Sequence, residues 1–394
     1  VAGWFMKAAD YGMNTNVTSA FVSTNSICQG QQVPIIWPLI FDTGNTINFG
    51  YTSFKWSNLA SHNAGVMVII VSLTTASSST RSIFSIDKER NVTEKKVDNI
   101  NAYLVPSKNI IINKSSAPLA ELNEMSFGNK PVDGGYLLLT RSELDGLRLT
   151  AKQRERFIRR IYGSAEFIRG QERYCLWIED ECLEEAMRME PLRRRIEGVR
   201  KMRLASRDKG PNKLAKRAHQ MREMRIGKRH SIVVPAVSSE RRDFLPCGLL
   251  TCHETVTNRN FALYDTSLWN MALIVSRLHW VWIATVCGKM KTDFNYSNTL
   301  GWNTFPVPAL TEKNKLDLNR CAEDILLARE VHFPKTIADL YDPDEMPNNL
   351  RQAHEKNDET LERIYIGRRF KNDTERLEKL FKMYTEMTTT EAQS

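Results

Sequence analysis

The hydrophobic and polar positions of the N-terminal part predict a helix followed by three strands. Residues 1 to 15 form an amphipathic helix, which a glycine-containing turn at residues 12 to 14 brings to an end. Residues 19 to 27 and 46 to 56 alternate as strands, and residues 64 to 73 are a continuous apolar run that predicts a buried strand. A continuous apolar strand late in the order is typical of the second half of a doubly wound α/β sheet.

After residue 119 the pattern changes to short strands and basic helices. Residues 181 to 225 predict long basic helices that break near Gly210, where a proline follows. Residues 267 to 288 predict one strongly apolar helix, more typical of a buried scaffold than of a cofactor site. From Thr311 onward the pattern is helical. The chain is thus predicted to be α/β, with a Rossmann-like first part, a mixed α+β middle part and an all-helical C-terminal part.

Length and composition are those of a soluble globular protein. With 394 residues the chain is long enough for two or three domains. Its seven cysteines include no CxxC pair, which indicates reduced thiols in a cytoplasmic protein. The spacing of Cys247, Cys252 and His253 disfavours a zinc site. The longest aliphatic run, residues 65 to 73, is too short to cross a bilayer. We therefore expect neither a metal nor a membrane partner.

Positive charge is concentrated in one segment. The formal net charge is +9, but residues 186 to 230 alone carry sixteen basic residues against four acidic ones. A local basic band of this kind is the electrostatic footprint of a nucleic-acid-binding surface. The alternative is a solvated helix with a basic bias.

A second unusual segment, residues 287 to 308, mixes charged, amide and aromatic side chains and has almost no aliphatic ones. Its charged residues are Lys289, Lys291 and Asp293, and its aromatic residues are Phe294, Tyr296, Trp302 and Phe305. Such a mixture would suit a surface that contacts a polar, flat, hydrogen-bonding partner.

Several stretches, in one order along the whole chain, resemble the C-terminal half of the MmeI-like family of bacterial DNA methyltransferases. They are AFVSTNSICQGQQVPIIWPLIF, TSFKWSNLASHNAGVMVIIV, GNKPVDGG, FIRRIYGSAEFIRGQERYCLWIED, VPAVSSERR, TVCGKMKTDFNYSNTLGWNTFPVP and IADLYDPDEMP. Family members are adenine-N6 methylases, often fused to an N-terminal endonuclease. The resemblance implies the end of a methyltransferase domain over residues 1–120, a target recognition domain over 121–308 and a helical C-terminal domain over 309–394.

The resemblance also implies that two motifs lie outside these residues. Family members hold S-adenosylmethionine with a glycine-containing loop and grip the adenine amino group with an Asn-Pro-Pro-aromatic motif, and neither occurs in the sequence. We therefore expect a part of a longer bacterial methyltransferase that has no catalytic residue of its own. The cofactor would be bound mainly by the preceding half, and these residues alone would not transfer a methyl group.

Four residues are candidates for the pocket of the target adenine. The resemblance places residues 19 to 30 directly after the adenine-gripping motif, with Asn25 and Ser26 at the mouth of that turn. In related adenine methylases an aromatic side chain near the last sheet strands stacks on the flipped base, and Trp56 and Phe54 are the candidates here. Flipping is required because the amino group cannot be reached within the duplex. The alternative is that both aromatic residues belong to the core of the sheet.

Four further residues are candidates for reading base pairs of double-stranded DNA. The Lys291 and Asp293 pair falls where family members vary in step with the base pair that they recognise. Lysine donates to guanine O6 and N7, whereas aspartate accepts from cytosine N4, so the pair could contact both bases of one G·C pair. Asn295 and Arg259 are further candidates. The alternative for Lys291 and Asp293 is a surface ion pair of small energetic value.

The remaining candidates are predicted to contact phosphates, although an exposed basic turn is an alternative for them. They are Ser238, Ser239, Arg241 and Arg242 in the SSERR stretch, and Arg193, Arg194 and Arg195 in the basic band.

The leading hypothesis is therefore the DNA-recognition half of an adenine-N6 methyltransferase. A non-catalytic specificity subunit that directs a separate methylase or nuclease is the alternative, but such a subunit has no need for half of a methylase sheet. An RNA-binding protein is a weaker hypothesis, because the sequence has no aromatic-rich RNP-like strand.

Overall fold

The structure, a computed structural model, describes residues 1–56, 66–77, 80–87, 90–290 and 293–391. These residues form two compact units, each assembled from separated parts of the chain. The first unit contains the described residues within 1–122, 276–314 and 358–394. The second unit contains residues 123–275 and 315–357. The mixed α/β class predicted from the sequence is confirmed.

The N-terminal part contains the predicted helix and the three predicted strands. Its elements are α1 (Ala2–Gly12), β1 (Thr18–Thr24), α2 (Gln32–Asp42), β2 (Phe49–Trp56), β3 (Val66–Thr74), β4 (Arg81–Ile86) and β5 (Val92–Val97). The first strand ends earlier than predicted, because the 3-10 turn Asn25–Cys28 follows it directly. Helix α2 was not predicted, and it is apolar around most of its surface.

The middle part alternates short strands with helices. Its elements are β6 (Ser126–Phe127), β7 (Leu138–Leu139), α3 (Arg141–Gly146), α4 (Ala151–Phe157), β8 (Ile158–Tyr162), α5 (Ser164–Arg169), β9 (Tyr174–Leu176), α6 (Leu183–Arg188), α7 (Glu190–Ala205), α8 (Lys209–Leu214), β10 (His230–Pro235), β11 (Val237–Ser238), β12 (Gly248–Thr251), β13 (Glu254–Val256), β14 (Asn260–Tyr264) and α9 (Trp269–Ile274). The basic helices break between Ala205 and Lys209, just before the predicted position at Gly210. Asp208 caps α8 by accepting a hydrogen bond from the Gly210 N–H at 2.9 Å.

The described residues of the C-terminal part form helices and one short pair of strands. Its elements are α10 (Arg277–Val286), β15 (Lys289–Met290), β16 (Asp293–Asn295), α11 (Glu312–Glu330), α12 (Ile337–Leu340), α13 (Asn348–Ile366) and α14 (Asp373–Glu391). The single helix predicted for residues 267 to 288 is wrong, because the chain breaks between α9 and α10. Ser276 explains the break, since its hydroxyl accepts from the His279 N–H at 3.1 Å and caps α10.

The sheet of the first unit brings the ends of two strands to one edge. The described strands are ordered β1-β3-β2-β4-β5, with β3 antiparallel to both β1 and β2. Thr24 pairs with Val68 and Trp56 pairs with Val66. The C-terminal ends of β1 and β2 therefore meet at the start of β3. This edge carries the predicted target-base residues, as expected for a doubly wound sheet whose ligands bind at the carboxyl ends of its strands.

Each unit has an apolar core of its own. In the first unit, Phe5 and Trp37 are fully buried, and the Trp37 Nε1–H donates to the Ile27 carbonyl at 2.7 Å. In the second unit, the strands form the sheets β12-β10-β14-β6 and β13-β8-β9-β7. Phe157 and Trp177 belong to a buried cluster that includes side chains from the second of these sheets. Among the helices of the described residues, none combines the length and the apolar character that crossing a membrane requires.

A candidate nucleic-acid interface

The 3-10 turn after β1 carries two of the predicted target-base residues. Asn25 begins this turn and is only 8% exposed. Its Nδ2 atom has no hydrogen-bond partner among the described residues. Ser26 follows, with its Oγ 3.1 Å from the Thr24 Oγ1. Because an unpaired buried N–H is costly, the Asn25 amide favours an acceptor supplied by a bound group.

A short antiparallel hairpin forms the second part of the candidate site. In it, Met290 pairs with Asp293 and Lys289 pairs with Phe294. The Asn295 N–H closes the hairpin by donating to the Gly288 carbonyl at 3.0 Å. We call the described residues 288–290 and 293–295 the recognition hairpin. Its strands are only two and three residues long, so they depend on the packing around them for stability.

The predicted base readers have different positions. Lys291 lies outside the described residues, whereas Asp293 is half-buried and Asn295 is exposed on the recognition hairpin. Arg259 is exposed in the second unit, between β13 and β14. The structure therefore brings Asp293 and Asn295 together. Base reading by all four residues stays a prediction.

The aromatic residues of the 287 to 308 segment do not form a surface, and in this respect the sequence interpretation is wrong. Phe294, Tyr296, Trp302 and Phe305 are all less than 10% exposed. The Phe294 ring packs edge-on against Trp280, with centroids 4.6 Å apart. Burial of large aromatic rings supplies the apolar support that so short a hairpin lacks. The polar side chains of the recognition hairpin are consequently supported by buried aromatic residues.

The turn after β1 and the recognition hairpin line the same cleft in the first unit. The cleft has a volume of about 570 Å³. Asn25, Ser26 and Gln29 line it from the turn, and Lys289 and Asn295 line it from the hairpin. The structure thus joins two predicted target-base residues with one predicted base reader. Gln29 and Lys289 were missed as cleft residues, because only the tertiary fold brings positions some 260 residues apart together.

Phe54 and Trp56 belong to a row of aromatic side chains on the sheet. A register irregularity in β2 between Tyr51 and Phe54 places both rings on one face, with centroids 6.4 Å apart. Trp56 follows at 6.3 Å from Phe54, and Phe84 stacks on Tyr51 at 4.6 Å. Trp56 is 44% exposed, so the core alternative does not apply to it. Tyr51 and Phe84 were missed, because simple alternation does not reveal a bulge.

The aromatic row borders a second cleft. Phe54, Lys55 and Trp56 line this cleft, whose volume is about 660 Å³. Met67 borders both clefts. The four predicted target-base residues therefore lie in two groups on either side of Met67. Their role in holding a base stays a prediction.

The arginine run in α7 makes contacts within the protein. Arg193 and Arg194 form ion pairs with Glu197 and Glu190 on the same helix. The Arg195 side chain is only 16% exposed and donates to the Tyr136 carbonyl at 2.9 Å and to Glu143 at 2.8 Å. Arg195 is therefore a structural residue in this conformation. Phosphate contact by the arginine run stays a prediction. Arg193 and Arg194 fit that role better than Arg195 does.

Arg203 is a second structural arginine of the basic band. It is fully buried, and its guanidinium donates to five carbonyl oxygens at 2.7 to 3.0 Å. The acceptors are Pro131, Val132, Leu214, Arg217 and Gln220. Burial lowers the pKa of Arg203. Part of the positive charge that was predicted to bind DNA therefore organises the fold instead. The prediction counted this charge because composition does not distinguish buried from exposed cations.

The SSERR stretch lies in the second unit with unequal exposure. Ser238 is 2% exposed, whereas Ser239 and Arg242 are half-buried. Arg241 is exposed and forms an ion pair with Asp344 at 2.9 Å. A phosphate contact by Arg241 would have to compete with this pair. Within the described residues, no group of three or more His, Cys, Asp and Glu side chains is arranged to hold a metal ion.

Three family models match the chain in succession. The DNA-methyltransferase domain of MmeI matches residues 1–85, the target recognition domain of MmeI matches residues 106–309, and the C-terminal domain of MmeI matches residues 310–391. The middle match alone covers more than half of the chain.

A curated relative and a solved structure agree with these matches. DNA methyltransferase A of Bacillus subtilis (strain 168) is 39% identical over 388 residues, which are 98% of this chain and 44% of the relative. The type IIL restriction–modification enzyme MmeI, solved in complex with DNA, is 32% identical, with a TM-score of 0.84 over 98% of this chain and 52% of that one. The chain thus spans about half the length of the relatives it matches. It belongs to the MmeI family of DNA methyltransferases.

Proposed function

We propose that this chain is the DNA-recognition half of a bacterial, S-adenosylmethionine-dependent adenine-N6 methyltransferase. The observation that carries the proposal is the cleft of about 570 Å³ that the turn after β1 and the recognition hairpin line together. Side chains on the hairpin would read base edges, while Asn25 and Ser26 would contact the target adenine after it has left the helix.

The chemistry of the cleft supports a nucleotide as its ligand. Its lining combines the Asn25 and Asn295 amides with the Lys289 ammonium. Amides can donate and accept at a base edge, and an ammonium complements a phosphate. The neighbouring aromatic row offers a stacking surface, with Trp56 as its most exposed member.

Gly30 and Gly50, two glycines beside the strands of the first sheet, do not form a cradle for S-adenosylmethionine. Gly30 lies just after the 3-10 turn that follows β1, and a Cβ placed on it would meet the Gly288 backbone nitrogen at 3.0 Å, so that position is filled by protein. A Cβ on Gly50 would meet the Leu104 side chain at the same distance. Neither glycine leaves the open cradle that a nucleotide cofactor requires. The cofactor, when bound, supplies the methyl group, and we expect other parts of the complete protein to hold it.

The proposal is tested by expressing the complete protein in a bacterium without adenine methylation and mapping modified adenines across the genome. One methylated sequence is the expected result. Residues 1 to 394 alone should bind duplex DNA with a steep salt dependence and should not transfer labelled methyl groups. Methyl transfer by this part alone would overturn the assignment of the cofactor and adenine-gripping motifs to another part.

A non-catalytic specificity subunit remains the second candidate. It would bind the same sites, but the complete protein would leave every adenine unmodified unless a separate methylase were present. The match of the methyltransferase domain to residues 1–85 favours the enzyme. An endonuclease domain in the complete protein is a further expectation, which rests on the family resemblance. A cytoplasmic location is also expected, because the proposed substrate is bacterial DNA.

A further inference from the structure

The turn after β1 touches the base of the recognition hairpin at one backbone position. Gly30 has a φ of +58°, in the left-handed region that favours glycine. A Cβ on Gly30 would stand 3.0 Å from the Gly288 nitrogen and 3.1 Å from its Cα. Any larger residue would therefore have to displace Gly288 by a few tenths of an ångström.

The side chain of Gln29, next to Gly30, contacts the end of the helix that precedes the recognition hairpin. The Gln29 Nε2–H donates to the Ala284 carbonyl at 3.1 Å. Ala284 lies in the last turn of α10, where carbonyl groups have no partner within the helix. Gln29 thus fixes the end of the helix that leads directly into Gly288.

Gly288 in turn sets the start of the recognition hairpin. Its carbonyl accepts the Asn295 N–H that closes the hairpin. The second strand is anchored separately, by Phe294 on Trp280 and by Tyr296 on His279. Displacement of Gly288 would therefore tilt the first strand against an anchored second strand.

From these contacts we propose that Gln29 and Gly30 are positioning residues for base reading. They hold the recognition hairpin in a fixed relation to Asn25 and Ser26, which belong to the same turn. The inference rests on the proposed function. It predicts that a small displacement at Gly288 impairs the reading of one base pair and leaves the preference at other positions unchanged.

The test compares Gly30→Ala with Gly44→Ala in the complete protein. Gly44 has a φ of +80°, so alanine is strained there as well, but a Cβ would meet nothing within 4 Å. The control therefore reproduces the backbone strain without the contact to Gly288. Methylation rates are measured on duplexes that differ from the preferred sequence at one base pair at a time, and the Tm of each variant is measured in parallel.

We expect Gly30→Ala to lower discrimination at a single base pair by about 5-fold or more, since a good base contact supplies roughly 5- to 150-fold. Gly44→Ala should retain the wild-type discrimination even where its Tm falls by a similar amount. Gln29→Glu should reproduce the loss at the same position, because a carboxylate repels the Ala284 carbonyl that the amide now binds. This second variant decides the question if Gly30→Ala does not fold.

Two outcomes separate the positioning role from the proposed function. If the wild type methylates one sequence, and Gln29→Glu and a folded Gly30→Ala discriminate as well as it does, the positioning role is wrong and the proposed function stands. An even loss of rate on all duplexes would likewise show a merely structural role. If the wild type methylates no defined sequence, the proposed function fails and this inference fails with it.

Discussion

The Tyr296 hydroxyl and the His279 Nε2 share a hydrogen bond of 2.9 Å in the core that supports the recognition hairpin. His279 is fully buried, and its Nδ1 has no partner among the described residues. Burial lowers the pKa of His279 to about 3. The support of the hairpin is therefore built around a neutral imidazole.

This relationship predicts a loss of stability in mild acid. The unfolded chain takes up a proton on His279 below its ordinary pKa of about 6.5, whereas the folded chain does so only near pH 3. His279 thus contributes stability that is present above pH 6.5 and is lost as the pH falls toward 3. Between pH 6.5 and 5 the loss is about 2 kcal/mol from this residue.

The measurement is the free energy of unfolding from pH 7 to pH 5, for the wild type and for His279→Gln. The variant should show a smaller decline than the wild type. Asp358 has the opposite effect on the free energy of unfolding: it makes the folded protein more stable as the pH falls, because burial raises its pKa to about 7. The comparison between variants removes that contribution. Equal declines in wild type and His279→Gln would contradict the prediction.

A second prediction concerns the identity of one base pair. The double change Lys291→Glu and Asp293→Arg in the complete protein should invert the preferred pair from G·C to C·G. Glutamate would accept from cytosine N4 and arginine would donate to guanine. Each single change should perform poorly, because it leaves one base edge without a complementary partner. Genome-wide mapping of methylated adenines would show the inversion, and an unchanged sequence in the double variant would exclude both residues as base readers.

A third prediction concerns stacking by Trp56. Trp56→Ala should slow single-turnover methyl transfer by about 5- to 150-fold, the effect of losing roughly 1–3 kcal/mol of base stacking. Trp56→Phe should retain most of the rate. Trp4→Ala removes an equally large tryptophan that is 66% exposed and serves as the control. The stacking role is excluded if the Trp56 and Trp4 variants react equally fast.

A fourth prediction divides the basic band into structural and DNA-binding cations. Arg203→Met should lower the free energy of unfolding by about 3 kcal/mol or more, because five carbonyls lose their common donor. Arg200 is exposed on the same helix. Arg200→Ala should change the Tm little and should reduce the salt dependence of DNA binding by about one counterion. The division is wrong if the two variants have the opposite effects.

The sequence by itself determined β1, β2 and β3 of the first sheet, because their local patterns of apolar and polar residues mark them as strands. It did not predict the other two described strands of that sheet, β4 and β5, which lack a long apolar run. Residues 64 to 73 have an apolar run long enough to define a buried strand, and the structure has β3 at Val66–Thr74. The resemblance to the family could also be recognised from the sequence, since several motifs occur in one order along the chain. The break at Ser276 was missed because a serine interrupts an apolar helix only when its hydroxyl is used as a cap.

Only the tertiary structure decided which polar residues share a site. Gln29 and Lys289 line one cleft although they lie far apart in the sequence. The buried Arg203 and the exposed Arg200 are three residues apart in one basic run, and composition treats them alike. The aromatic residues of the 287 to 308 segment were expected at a surface and are instead the support of the hairpin. Burial depends on long-range packing, which a local pattern of residue types does not encode.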